Sequence, residues 1–259
     1  MVIGIEWKIT QHMKRVPKLN NPVLIEGLPG IGNVGKIVAD YLIDNLKAKK
    51  LYSFFSHSFP HSAFINENNL VELPEIALYY VKRQKKKDLL ILAGDIQPND
   101  EESCYSFTEM LLGILEEFNT QEIVTIGGIG LADIPEDPQI YATANCPEII
   151  KRYKRYGKID DKVYGVVGPI VGVTGVLVAM SEQESIALLA ETFGHPMTLG
   201  IKSAQKILTI LKKRFQFRAN MKDLDEEALK VEKELVMRKE EMMTQQDDTQ
   251  KVDSVSYIG

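Results

Sequence analysis

Residues 23–36 read Val23-Leu24-Ile25-Glu26-Gly27-Leu28-Pro29-Gly30-Ile31-Gly32-Asn33-Val34-Gly35-Lys36. A short apolar run leads into a glycine-rich turn, and a segment with helical periodicity follows from Val34 to Leu46. A strand, a tight turn and a helix in this order are the local geometry of phosphate-binding α/β folds. The stretch therefore predicts an α/β fold and raises the question of a nucleotide site.

The turn fits the dinucleotide fingerprint G-x-G-x-x-G, with its glycines at Gly30, Gly32 and Gly35. That fingerprint needs an acidic residue at the end of the next strand, where it binds the ribose hydroxyls. The next predicted strand spans residues 51–55, and Ser56-His57-Ser58 follows it. The acidic partner of a dinucleotide site is therefore missing.

The same turn also reads as a phosphate-binding loop of the form G-x-x-x-x-G-K that ends at Lys36. A Ser or Thr hydroxyl should follow to bind Mg²⁺, but Ile37 occupies that position. Glycines also have a structural use, because they adopt positive φ angles and let a helix pack closely against a sheet. We therefore predict an architectural turn without a cofactor, formed by Gly27, Pro29, Gly30, Gly32 and Gly35.

Strand-like and helical segments alternate up to about residue 218, which predicts a three-layer α/β/α domain with a mostly parallel central sheet, similar to phosphorylases and hydrolases. The predicted strands are 23–26, 51–55, 76–82, 88–94, 122–128 and 162–167. The predicted helices are 34–46, 100–118, one from about 175, and 198–217. The basic run at 82–87 is interpreted as a solvated hairpin turn.

Glycines follow several predicted strands, so the sheet has a crevice at its carboxyl edge where α/β proteins bind ligands. Catalysis there would need a nucleophile or an acid–base pair. Asp95 is interpreted as a carboxylate that accepts backbone N–H bonds, and His57, His61 and His195 as loop or surface residues. We therefore expect no catalytic residue and no metal site.

Composition limits the remaining classes of function. The 259-residue chain has a net charge of −5 with 44% hydrophobic and 26% charged residues, which is typical of an ordinary soluble protein and offers no basic field for nucleic acid. Cys104 and Cys146 lack metal-ligand spacing and are expected to be reduced thiols. The apolar run at 170–180 is too short to span a bilayer, and nothing at the start resembles a signal peptide. We expect a cytoplasmic protein that binds neither nucleic acid nor membrane.

The composition of the sequence changes near residue 219, beyond which Glu, Lys, Leu, Met and Val predominate up to residue 243. A predicted helix at 219–243 carries a heptad stripe, which must be covered by the domain or by another subunit. A predicted flexible tail at 244–259 ends in an aromatic and an aliphatic residue, a pattern typical of a tethered peptide ligand, although a terminus folded on its own domain is the alternative. The stripe residues are Leu224, Ala228, Val231 and Leu235.

Four further blocks follow the glycine turn and its continuation Ile37-Val38-Ala39-Asp40-Tyr41-Leu42. They are Leu89-Leu90-Ile91-Leu92-Ala93-Gly94-Asp95-Ile96-Gln97-Pro98, Ile126-Gly127-Gly128-Ile129-Gly130, Gly168-Pro169-Ile170-Val171-Gly172-Val173-Thr174-Gly175-Val176-Leu177 and Leu188-Leu189-Ala190-Glu191-Thr192. In this order the blocks resemble the proteasome assembly chaperone 2 family, in its archaeal branch. The resemblance covers residues 20–215.

This resemblance implies a homo-oligomeric chaperone, not an enzyme, that binds the α-subunits of the proteasome core particle, which form its α-ring. Family members and proteasome activators commonly end in a hydrophobic residue, a tyrosine and one more residue, which dock between neighbouring α-subunits. Here the implied partner-binding residues are Tyr257, Ile258 and Gly259, with the tyrosine one place earlier than in that pattern. The docking register therefore stays open.

The alternative is a nucleotide-using enzyme. Relatives of the family have been likened to ATP-dependent carboxylate-amine ligases, and the predicted sheet is similar to that of nucleoside phosphorylases. Either enzyme would use the glycine-rich crevice, but fold-level analogy alone supports both. A ligase should show a cluster of Glu and Asn ligands for magnesium, and a phosphorylase an Arg pair for phosphate, and neither is evident in the sequence.

Overall fold

The computed structural model of the protein describes residues 6–65, 68–98, 100–165, 167–195 and 198–218. Internal contacts divide the chain into two units, Met1–Ala219 and Asn220–Gly259. Every described residue belongs to the first unit. The predicted helix at 219–243 and the predicted tail at 244–259 therefore lie outside the described residues, and both stay predictions.

The described residues form strands β1 to β10 and helices α1 to α5. The strands are β1 (Lys8–Gln11), β2 (Val23–Gly27), β3 (Lys49–Phe55), β4 (Phe64–Ile65), β5 (Val71–Glu72), β6 (Ile76–Val81), β7 (Leu89–Gly94), β8 (Glu122–Leu131), β9 (Ile140–Ala144) and β10 (Glu184–Phe193). The helices are α1 (Val34–Leu46), α2 (Glu101–Glu117), α3 (Pro147–Tyr153), α4 (Val173–Met180) and α5 (Ile201–Phe215). A 3₁₀ turn, Ile31–Asn33, precedes α1.

One large sheet has the strand order β1-β3-β6-β7-β2-β8-β10-β9. Its four central strands, β7, β2, β8 and β10, are parallel, whereas β1, β3 and β6 on one side and β9 on the other are antiparallel. Helix α1 packs with α5, and α2 packs with α4. The predicted α/β class, a central sheet flanked by helices, is confirmed.

Burial on both faces explains the sequences of the central strands. Every residue of β2 is buried, and all of β7 except its last residue is buried. A strand covered by helices on both sides needs apolar residues in succession rather than in alternation. On one face the core contains Phe107, Leu111 and Leu115 of α2 together with Leu177 of α4.

The prediction of a strand at 162–167 is wrong. Its described residues form a loop, in which Gly165 has a φ of 75° and Tyr164 is fully exposed. A positive φ interrupts a strand, and an exposed side chain has no core to pack against. The sheet beyond β8 is instead completed by β10 and, at its edge, by β9, neither of which was predicted from the sequence.

The basic turn between β6 and β7 is a hairpin turn with exposed lysines, as predicted, and two of its side chains also have structural partners. The Arg83 guanidinium donates to the carbonyl of Phe215, and Lys86 Nζ lies 2.8 Å from the carbonyl oxygen of Gln216. The last carbonyls of a helix lack partners within the helix and carry partial negative charge. The basic turn therefore caps the C-terminus of α5.

A buried carboxylate anchors α3 and α5 at the amino ends of β8 and β10. The side chain of Glu122 is 1% exposed and lies 2.6 Å from Arg214 Nη2 and 3.4 Å from Arg152 Nη1. The Tyr153 hydroxyl donates to the same carboxylate at 2.6 Å. Burial, followed by the charge of Glu122, raises the pKa of Tyr153, so the phenol remains a hydrogen-bond donor.

We expect Arg214→Met to lower the free energy of unfolding by about 3 kcal/mol, because it removes the nearest cation from a buried carboxylate. The neighbouring Lys213 is exposed on the same helix turn, so Lys213→Met should change stability by about 0.5 kcal/mol at most. Urea unfolding of both variants measures the difference. Equal losses would mean that the helix end, and not the Glu122 contact, supplies the stability.

Candidate functional site

A groove lies where the chain switches sides of the sheet. After β2 the chain builds β3, β6 and β7 on one side of it, and β8 then pairs with its other side. Ligands of open α/β sheets bind at such a point, beyond the carboxyl ends of the strands. The groove here has a volume of about 310 Å³ and is lined mainly by residues 28–31, 126–130 and 167–171, with Gly35, Gln97, Thr174 and Leu189.

Three glycines bring the backbone of α1 and the 3₁₀ turn against the sheet. A Cβ atom on Gly27 would lie 2.1 Å from the carbonyl oxygen of Gly35, and one on Gly35 would lie 2.6 Å from that of Ile126. A Cβ on Gly128 would lie 2.1 Å from the carbonyl oxygen of Ile31. These distances are far below van der Waals contact, so only glycine permits the observed approach.

The remaining residues of the predicted turn differ from one another. Gly32 has a φ of 63°, and a Cβ there would lie 2.6 Å from Thr192 Oγ1. Gly30 has an extended φ of −161° and open space around it. The Pro29 carbonyl accepts a hydrogen bond from Gln97 Nε2 at 2.8 Å. Of the five predicted residues, Pro29, Gly30 and Gly35 line the groove, whereas Gly27 and Gly32 pack beside it. Their architectural role stays a prediction.

The lysine of the phosphate-loop pattern forms ion pairs at the end of β7. Lys36 Nζ lies 3.1 Å from Asp40 Oδ2 and 3.8 Å from Asp95 Oδ1, and it donates to the Gly94 carbonyl at 3.2 Å. In a phosphate-binding loop this lysine would reach the β- and γ-phosphates. Its observed partners already balance its charge.

The groove itself is uncharged. None of its described lining residues is Asp, Glu, Lys, Arg or His. Gln97 and Thr174 supply the polar side chains, and Gln97 Oε1 is buried without a hydrogen-bond partner in the described part of the chain. Recognition here therefore has to use apolar contacts and neutral hydrogen bonds.

Glu26, which the sequence analysis did not single out, lies fully buried beneath the groove. Its carboxylate accepts the Leu28 N–H at 3.0 Å and the Thr174 hydroxyl at 3.2 Å, and it also accepts the Ile126 N–H. Burial raises the pKa of Glu26 from 4.5 to about 7, although these hydrogen bonds oppose the shift. An acidic residue at the end of an apolar strand was the available sequence signal.

The other candidate side chains are not brought together. The Asp95 carboxylate accepts a backbone N–H bond at 3.3 Å, but the donor is Glu75, next to the start of β6, and not the turn before Pro98 that the sequence predicted. His57 lies against the ring of Phe55, and His195 stacks on Phe193. Across the described ranges, no group of three or more His, Cys, Asp or Glu side chains could hold a metal ion.

Two further sets of predictions have different outcomes. Cys104 and Cys146 are both free thiols. The residues predicted to bind a partner or to form the helical stripe lie outside the described residues, and their roles stay predictions. They are Tyr257, Ile258 and Gly259, and Leu224, Ala228, Val231 and Leu235.

Comparison with known proteins identifies relatives along nearly the whole chain. The sequence model of the PAC2 family matches residues 24–236. The crystal structure of Pyrococcus furiosus PbaB, an archaeal proteasome activator, is similar at 32% identity and a TM-score of 0.81, over 91% of this chain and 99% of that chain. Pyrococcus furiosus PbaA, an archaeal homolog of proteasome-assembly chaperone, shares the fold at 22% identity and a TM-score of 0.71, over 96% of this chain and 99% of that chain.

A protein of Methanocaldococcus jannaschii without an assigned function is 27% identical over 223 residues, which are 85% of this chain and 84% of the relative. Within the described part of the chain, no helix is both long enough and apolar enough to cross a membrane.

We expect Gly35→Ala to lower the free energy of unfolding by about 2 kcal/mol, because its Cβ would overlap the Ile126 carbonyl. Alanine favours a helix over glycine by about 1 kcal/mol, so any loss has to come from this contact. Gly30→Ala is the matched control, and its effect should stay within about 0.5 kcal/mol. Thermal and urea unfolding of both variants test this difference. Equal stabilities would show that the helix can move away from the sheet without cost.

The raised pKa of Glu26 predicts a pH-dependent stability. Its contribution is fully present below pH 4.5, and it is lost as the pH rises through about 7, because the folded state then holds a buried charge. The shift corresponds to about 3 kcal/mol. We therefore expect the unfolding free energy of the wild type, minus that of Glu26→Gln, to fall by about this amount between pH 4.5 and pH 8. Urea titrations across this range measure it, and a constant difference would contradict the assigned shift.

Proposed function

The chain belongs to the PAC2 family, and from this membership we propose that it is a non-enzymatic homologue of proteasome assembly chaperones. In this proposal the protein forms a homo-oligomer and binds the α-ring of the proteasome core particle through Tyr257, Ile258 and Gly259. Its place of action is the cytoplasm, and neither nucleic acid nor membrane is a partner.

The similarity to PbaB carries this proposal. PbaB is an archaeal proteasome activator, and the similarity extends over nearly all of both chains, in sequence as well as in fold. An activator and an assembly chaperone share one requirement, which is a surface or segment that binds the proteasome. We infer that this requirement, rather than a chemical reaction, is common to the relatives and this chain.

The chemistry of the groove supports a non-enzymatic protein. Ligases and phosphorylases bind phosphate groups through cations or metal-bound carboxylates. The described lining residues offer neither kind of side chain, and Lys36 is occupied by Asp40 and Asp95. The enzyme alternative has no supporting contact among the described residues, so fold-level analogy is its only basis.

The residue types of the C-terminal segment suit a partner anchor. A tyrosine ring supplies rigid apolar area and a hydroxyl group, and a terminal carboxylate can pair with a lysine in a pocket. Several copies of such a segment on one oligomer raise the effective concentration of each. A weak tripeptide contact can therefore hold a multi-subunit ring.

We expect deletion of Tyr257, Ile258 and Gly259 to weaken capture of α-rings at least several-fold, because the loss is multiplied by the number of segments. Tyr257→Ala should cause most of this loss, while the matched control Ser254→Ala should bind like the wild type. Co-sedimentation of each purified chain with core particles measures capture. The melting temperature of all three variants should be unchanged.

Equal capture by the truncated and intact chains would contradict the anchor. It would mean that the contact lies in the first unit, Met1–Ala219. Absence of capture by the intact chain, together with micromolar binding of ATP in calorimetry, would favour the enzyme alternative.

The heptad stripe predicts an oligomer, because an apolar stripe on an otherwise polar helix needs a cover. We expect light scattering to give a mass larger than the 29.2 kDa of one chain. The double variant Val231→Asp with Leu235→Asp should lower that mass if the stripe joins subunits, whereas Lys233→Asp should not. A strictly monomeric wild type at micromolar concentration would contradict the homo-oligomer.

A further inference from the structure

Strand β8 continues where its neighbour β2 ends. The pairing of β2 with β8 runs from Val23 opposite Glu122 to Glu26 opposite Thr125. On its other side β8 remains paired with β10 as far as Leu131. From Ile126 onward, no strand among the described residues lies beside this edge of β8, and the groove occupies the position that a longer β2 would fill.

The backbone of β8 faces this position. Hydrogen-bonding groups along a parallel strand alternate between its two neighbours. The N–H of Ile126 donates to Glu26 on the β2 side, so the N–H and C=O groups of Gly128 and Gly130 point to that side as well. Both glycines line the groove, and neither has a side chain that would cover its backbone.

The walls of the groove specify an uncharged occupant. An ionised group would lose hydration here without gaining a counter-charge, because the described lining has no ionisable side chain. Ile31 and Val171 are 50% and 82% exposed at the rim and offer apolar contact. The described lining has two polar side chains, Gln97 and Thr174, and both are uncharged.

From these observations we propose that the groove binds an extended, uncharged peptide segment of a partner protein, which adds to the sheet along β8 beyond the end of β2. Backbone hydrogen bonds to the glycines supply affinity, and the apolar rim selects side chains. This site lies in the first unit, Met1–Ala219, and binds a segment of the partner. It is therefore independent of the proposed binding through this chain's own C-terminal residues.

The experiment uses the full-length protein and an immobilised library of random hexapeptides with acetylated and amidated ends. We expect enrichment of uncharged sequences rich in Val, Ile and Thr, which suit an extended backbone. The most enriched peptide is then labelled and titrated by fluorescence anisotropy. Methylation of its backbone nitrogens at alternate residues should weaken binding at least tenfold in one register and little in the other, because only every second residue bonds to β8.

Two lysine substitutions on one exposed loop provide the matched test. Val171 lines the groove and Tyr164 does not, although both side chains are exposed. We expect Val171→Lys to weaken binding of the peptide at least fivefold and Tyr164→Lys to leave it within twofold. Neither variant should change the melting temperature.

Four outcomes would overturn the proposal: no enrichment, enrichment of charged peptides, equal effects of the two lysine variants, or equal tolerance of both methylation registers. Binding of adenosine or uridine without peptide enrichment would assign the groove to a small molecule instead. Capture of α-rings by the same variants is measured in parallel, so a failed peptide site and a failed proteasome contact give different results.

Discussion

The approach of α1 to the sheet through glycine is the constraint on which the rest of the structure depends. Gly27 and Gly35 bring the helix so close that a single added carbon would overlap a backbone carbonyl. This approach holds the 3₁₀ turn against Gly128 and fixes one wall of the groove. The opposite wall consists of residues 167–171. Its side chains Val167 and Ile170 pack against a buried cluster that includes residues of β10. On the α1 side, close backbone contacts rather than side-chain rotamers set the position of the wall.

Glu26 lies near the end of the buried strand β2, beneath the groove, and its carboxyl group is fully buried. The carboxylate satisfies N–H groups left without partners where β2 stops, and Thr174 binds it from α4. Hydrogen bonds favour its charged form, but complete burial disfavours that form more strongly, so its pKa rises. Below pH 7 the carboxyl is mainly neutral and adds little charge beneath the groove. Glu26 thus accepts hydrogen bonds at the end of β2, contacts α4 through Thr174 and affects the polarity beneath the groove.

Three of the central strands, β2, β7 and β8, could be predicted from the sequence because each contains a continuous apolar run that leads into glycine. β2, β7 and the main part of β8 fall within one or two residues of the predicted ranges. β10 was missed because it begins with the polar pair Glu184 and Ser185, and β9 because it is short and gains its place only by pairing with β10. Glu26 and the role of Arg83 depend on contacts between distant segments, which no local pattern contains. The sequence of the glycine turn fits two nucleotide motifs, but the residues missing from both led us to predict an architectural role, which stays a prediction that agrees with its close backbone contacts.

The two ends of the sheet differ in the charge and the hydrogen-bonding groups that they offer to a partner. At the amino ends of the strands, Glu122 contacts two arginines and a tyrosine. The basic turn caps the C-terminus of α5 at the same end. These charged groups therefore have partners within the fold. At the groove the described lining is neutral, and within the described part of the chain no strand pairs with this edge of β8. Paired charges hold helices in place but give a partner little to bind, whereas an open strand edge gives it both donors and acceptors. A partner that joins the sheet at the groove would therefore disturb none of the contacts that stabilise the opposite end, and binding and stability can vary independently.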